Sequence, residues 1–80
     1  MNTDTYKIGI LLNTIEKANK FVEITNKSRA EIDLMEDKYV INGKSILGVY
    51  SLNLANPLTA VISGKEAEKL FNLIKENFGV

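Results

Sequence analysis

The sequence predicts an α+β protein in which helices cover one face of a four-stranded, mostly antiparallel sheet. Three observations carry that prediction. Residues Glu31-Ile32-Asp33-Leu34 alternate charged and aliphatic side chains with the period of two of a half-buried strand. Two segments, one behind Asn13-Thr14 and one behind Ser63, space their apolar residues by three and four, as an amphipathic helix does. The remaining punctuated runs are short and β-rich, giving the order strand, helix, strand, strand, short helix, strand, long helix. Such an order packs into two layers, an open-faced sandwich.

Each element has a local reason. Tyr6 to Leu12 is short and aliphatic, with Gly9 as its weak point, and reads as the first strand. Asn13 and Thr14 are cap-type residues, and Glu16 three residues after Asn13 makes a near capping box. Ile15, Ala18, Phe21, Val22 and Thr25 then form the inward stripe of a helix from Thr14 to Lys27. A hairpin follows, with strands Glu31–Glu36 and Tyr39–Asn42 joined at Asp37-Lys38. Ser45 caps a short helix, Ile46 to Leu52, which Gly48 weakens without breaking. Leu58 to Ile62 is the last strand. In the final helix Ser63 is the expected cap, with Glu66 three residues on. Ala67, Leu70, Phe71, Ile74 and Phe78 are its stripe and Gly79 its stop.

Eighty residues make one domain, 1–80, without repeats or linkers. A chain this long buries about 60–70% of its unfolded surface, enough for one core without staples. There are no cysteines, hence no disulfide framework and no thiolate metal site. There are no histidines either, which removes the commonest general base and the commonest metal ligand. Catalysis by this chain alone is not expected, and no cofactor or metal is implied. Glu31, Asp33 and Glu36 read as a solvated strand rather than a metal site. Ten basic residues balance ten acidic ones, which argues against nucleic-acid binding. No apolar run approaches the roughly 20 residues that span a bilayer. The start, Met1-Asn2-Thr3-Asp4-Thr5, has no basic segment leading into an apolar one, so a cytoplasmic protein without a leader is expected.

At Lys44-Ser45-Ile46-Leu47-Gly48-Val49-Tyr50-Ser51-Leu52 the chain resembles the HPr family, the small phosphocarriers of the sugar phosphotransferase system. There this stretch is typically Lys-Ser-Ile-Met-Gly-Val-Met-Ser-Leu. The similarity runs without gaps from about Asn13 to Leu52, and the order of elements matches over nearly the whole length. It implies an HPr-like open-faced β-sandwich, a four-stranded antiparallel sheet covered on one face by three helices. It also implies a monomer, although an aliphatic edge strand in this fold permits exchange into a dimer.

The departure from the family is chemical. Its phosphate is carried by a histidine at the start of the first helix, in a Gly-(Ile/Leu)-His-(Ala/Thr)-Arg-Pro-Ala pattern. Aligned without gaps, Thr14 stands at the histidine, Glu16 at the arginine and Lys17 at the proline, while Ala18 agrees. Shifting the alignment by one residue would place Asn13 or Ile15 there, and neither supplies a ring nitrogen. A threonine hydroxyl without an adjacent base is a poor nucleophile, and its phosphate ester does not pass its phosphate on readily. Glu16 would repel a phosphoryl group where a guanidinium would steady it. The carrier reaction is therefore expected to be absent, with Thr14 serving as a helix cap.

Ser45 remains. In Gram-positive relatives the serine of this motif is phosphorylated by an ATP-dependent kinase, and the product is a corepressor for a carbohydrate-responsive transcription factor. The Crh-like branch lacks the histidine and keeps the serine, the combination present here. The resemblance therefore implies a regulator with those two partners, controlled at Ser45 and docking through Ile46, Leu47 and Tyr50. Two plainer readings stand beside it. A serine is a good N-cap with no kinase involved, and a constitutive binding or scaffold module would keep the fold without either phosphorylation.

Overall fold

The alternation and the stripes fold as the sequence predicts. The computed structural model describes residues 4–80, so the part of the expected leaderless start that falls on residues 1–3 lies outside it. In chain order the elements are β1 (Tyr6–Ile10), α1 (Ile15–Asn26), β2 (Glu31–Glu36), β3 (Tyr39–Asn42), α2 (Ile46–Tyr50), β4 (Leu58–Ser63) and α3 (Ala67–Phe78). The sheet runs β1-β4-β2-β3, every neighbouring pair antiparallel. The last strand thus enters between the first and second. Its register is Ile8↔Ala60↔Leu34 and Ile10↔Leu58, which sets Ile10, Ile32, Leu34, Leu58, Ala60 and Ile62 on one face.

Onto that face pack Ala18 and Phe21 of α1, Val49 of α2, and Leu70, Ile74 and Phe78 of α3, all buried. Phe21 and Phe78 meet edge to face with centroids 5.5 Å apart, the arrangement aromatic quadrupoles favour. Phe71 is half-buried at the margin, stacked at 5.2 Å on Tyr6. Desolvation, then the charges of Glu68 and Asp4, hold the Tyr6 phenol above its ordinary value. No helix among the described residues is long and apolar enough to cross a membrane.

Element ends differ from the sequence reading, each for a packing reason. β1 stops at Ile10, not Leu12, because its partner β4 begins only at Leu58. Leu11 instead donates from its backbone N to the Phe78 carbonyl, and Val80 N donates to Gly9 O, so the C-terminus lies along the outer edge of β1. The cap of α1 is Thr14, whose Oγ1 accepts from Lys17 N at 3.1 Å. Lys17 then occupies the third helical position, so Asn13 and Glu16 form no capping box. Ile15, expected in the core, is 70% exposed. Cα–Cβ bonds tilt toward a helix's N-terminus, so a side chain at the first position points past its end.

α2 ends at Tyr50, two residues early, with Ser51 as its C-cap. Ser63 does not cap α3. It stays in β4, paired with Glu31, and the helix starts after Glu66, which has φ 61 and no side-chain cap bond. Gly64, at φ 85, makes the turn between them in a region that favours glycine. Gly79 ends α3 in extended rather than left-handed backbone, and glycine is required by close approach, since a Cβ there would lie 2.6 Å from the Lys75 carbonyl oxygen. Of the acidic residues on β2, Glu31 and Asp33 face solvent, while Glu36 is half-buried and accepts from Asn53 N.

These cap assignments predict opposite outcomes for two hydroxyl deletions. Thr14→Ala should lower unfolding free energy in urea by about 1 kcal/mol. Ser63→Ala, removing no cap, should stay within about 0.5 kcal/mol of wild type.

Candidate docking and phosphorylation site

The Ser45 site is built by two elements distant in sequence. Ser45 has extended backbone (φ −98, ψ 114) and its Oγ accepts from Gly48 N at 3.1 Å. Its carbonyl accepts the first bond of the short helix, from Val49 N at 2.9 Å. Gly48 keeps room for that cap, because a Cβ there would come within 3.3 Å of the serine hydroxyl oxygen. The serine side chain is half-buried at the start of α2.

The loop before it is latched to the end of α1. Thr25, the one buried polar side chain among the described residues, donates from Oγ1 to Gly43 O at 2.9 Å, with Val22 O as a second acceptor at 3.1 Å. Asn26 Nδ2 donates to Lys44 O at 2.9 Å. In return Lys44 Nζ donates to Ser28 O at 2.8 Å, a cation on a carbonyl just past the helix C-terminus. Asn42 closes the loop from the other side, its Oδ1 accepting from Lys44 N and its carbonyl from Ser45 N. Sequence alone does not single out Thr25, Asn26, Ser28 or Asn42 as positioning residues. A threonine on an otherwise apolar stripe was the available signal, since a buried hydroxyl needs an acceptor.

Of the predicted docking residues, Leu47 is 79% exposed and Tyr50 43% exposed, while Ile46 is half-buried. The Tyr50 hydroxyl donates to Asn19 Oδ1 of α1. Asn19 lies one helical turn from Ile15 on the same face of α1, so the exposed Ile15 and Leu47 flank the Tyr50–Asn19 bridge. Ile15 thereby joins the apolar surface that the sequence assigned to α2 alone.

The structure does not bring Thr14 and Ser45 together. Thr14 opens α1, with Glu16 exposed in its first turn. Ser45 follows Lys44, which Asn26 and Ser28 hold at the opposite end, across a helix of about 18 Å. At the Thr14 end the hydroxyl accepts a backbone N–H, and among the described residues no base is hydrogen-bonded to it. The latch predicts that Thr25→Val, which leaves the Gly43 carbonyl without its buried donor, should cost about 1–3 kcal/mol. Faster amide exchange should accompany it, concentrated at residues 43–48, and uniform exchange across the chain would disprove the coupling.

With the geometry in hand, comparison with solved structures finds the chain similar to the phosphocarrier protein HPr from Bacillus anthracis str. Ames. The two are 23% identical with a TM-score of 0.80, over 98% of this chain and 99% of that one. It is also similar to HPr-C-His from Thermoanaerobacter tengcongensis, at 26% identity and a TM-score of 0.70, over 96% of this chain and 94% of that one. No protein-family model matches the chain, and no curated protein sequence matches it. Element order, antiparallel sheet and helical layer together are those of the HPr-like fold.

Proposed function

We propose that this chain is a non-catalytic regulatory and interaction protein related to the sugar phosphotransferase system, resembling the Crh-like branch, and switched by phosphorylation of Ser45. The single observation that carries the reading is Ser45 itself. It stands at the start of a short helix whose Leu47 and Tyr50 are exposed, in a chain with no histidine to carry phosphate. A phosphate on Oγ would add about −1.5 to −2 charges and three acceptor oxygens beside the Gly48 N–H that the hydroxyl already engages. The helix then keeps its cap, and what changes is the surface. A neutral apolar patch becomes an apolar patch with a dianion at its rim, a combination an arginine-bearing partner can read. The partners proposed are the HPr-type serine kinase and a carbohydrate-responsive transcription factor, in the cytoplasm.

One observation favours a second reading, a constitutive protein-binding module. The Ser45 hydroxyl is already accounted for as a cap, and Ile15, Leu47 and Tyr50 are exposed without any modification.

Intact-mass measurement after incubation with ATP and an HPr-type serine kinase separates the two. One added phosphate, abolished in Ser45→Ala, is the expected result. No added phosphate, with authentic HPr labelled in the same tube, would leave the constitutive module as the function.

A further inference from the structure

The face of the sheet turned away from the helices has a symmetry of its own. Counting the C-terminal tail on the edge of β1, the columns run tail, β1, β4, β2, β3, with β4 in the middle. Strand alternation places two rows across all four strands of this open face, with the pair Glu31↔Ser63 beyond them. One row is Val80, Gly9, Thr59, Met35, Val40, set by the pairings Gly9↔Thr59, Thr59↔Met35 and Met35↔Val40. Val80 belongs to it because its Cγ2 lies 3.4 Å from where a Cβ on Gly9 would be. The second row is Lys7, Val61, Asp33, Asn42. Met35, Val40 and Val80 are all exposed, Val80 by 75%.

We infer that this face binds a second copy of the chain, packed face to face about a two-fold axis that runs parallel to β4 and lies above it. Such an axis keeps each row in place and exchanges columns left for right. It lays β2 of one copy over β1 of the other and β3 over the tail. Met35 then covers Gly9, the one position in its row without a side chain. Val40 meets Val80, Val61 meets itself, and Asp33 stands opposite Lys7 on both sides of the axis. Isologous contacts need this self-complementarity, residue i meeting j while j meets i. Sheets packed with strands nearly aligned are a stable layer arrangement about 10 Å apart.

The charge match selects a second copy over an unrelated protein. Lys7 and Asp33 flank Val61 symmetrically, so the face carries its own counter-charges in mirrored places. Strand spacing and rise give a footprint of about 300 Å² per copy, well below the standard interface of roughly 800 Å² per partner. Association is therefore reversible, a dimer at high concentration. It leaves the helical face free, so the dimer displays two copies of the Leu47–Tyr50 surface, and a bivalent partner would gain from their linkage.

Sedimentation of the intact chain from low micromolar to millimolar concentration tests this, alongside amide chemical shifts over the same dilution. The mean mass should rise toward that of a dimer, with shift changes confined to the two rows. Asp33→Lys and Lys7→Asp should each weaken association by at least about tenfold, since each sets like charges opposite. The double variant Lys7→Asp/Asp33→Lys should recover it, because the swap restores both pairs. Lys7 and Asp33 are both solvent-exposed, and far-UV circular dichroism checks that each variant is folded. A mass that stays monomeric throughout overturns the inference. So does a dimer indifferent to Asp33→Lys, the result strand exchange would give, and so does a double variant as weak as either single one.

Discussion

The register of β4 is the constraint on which the rest of this structure depends. It is the only strand bonded on both sides to strands that precede it by more than 20 residues, and it holds β1 and β2 at once. Side chains alternate with a period of two, so a slip of one residue would turn Leu58, Ala60 and Ile62 outward and Thr59 and Val61 inward. Every helix packs against the face this register sets. The strand's upper limit at Leu58 releases Leu12 into the core, and its lower limit at Ser63 delays α3 until Glu66. Slow assembly is the consequence, because the closing strand must find two partners across long loops.

The Ser45 loop inherits its position from that sheet through a second, smaller device. β2 anchors Gly43 by accepting its N–H at Ile32 O, 2.8 Å away, while Thr25 donates to the Gly43 carbonyl from the helix above. Sheet and helix thus grip one residue from both sides. Lys44 and Asn26 repeat the grip one residue on. With the backbone spent in this way, α2 can be only five residues long and still be placed, which a free helix of that length could not achieve.

How much of this the sequence displays follows from the range of each interaction. The β2–β3 hairpin and the Ser45 cap close within a few residues, and their side-chain types announce them. The helical stripes are equally plain, since Ala18, Phe21, Leu70 and Ile74 recur at the helical period. What escapes is whatever a distant partner decides. Ser63 has the right residue type for a cap and the right spacing to Glu66, yet a ladder with Glu31 claims it, 32 positions away in the chain. Ile15 fits the stripe by number and misses the core by direction. Thr25 meets its acceptor 18 residues later, and that acceptor is a backbone carbonyl, which no side-chain pattern encodes. The HPr-like motif at Lys44–Leu52 contains Ser45 and Gly48 of the cap and Lys44 of the latch, while Thr25, Asn26 and Gly43 lie outside it.

Thr14 and Ser45 stand apart, at the two ends of α1, and share no hydrogen bond. At one end, Thr14 caps the first turn of α1 through Lys17 N, with Glu16 exposed beside it. At the other, Ser45 is tied into the latch, and its hydroxyl caps a helix whose Val49 is fully buried. A serine in that position is held by folding whether or not a kinase reaches it. A histidine at the start of α1 would have no such structural tenure. Ser45 therefore has a structural role that does not depend on its modification.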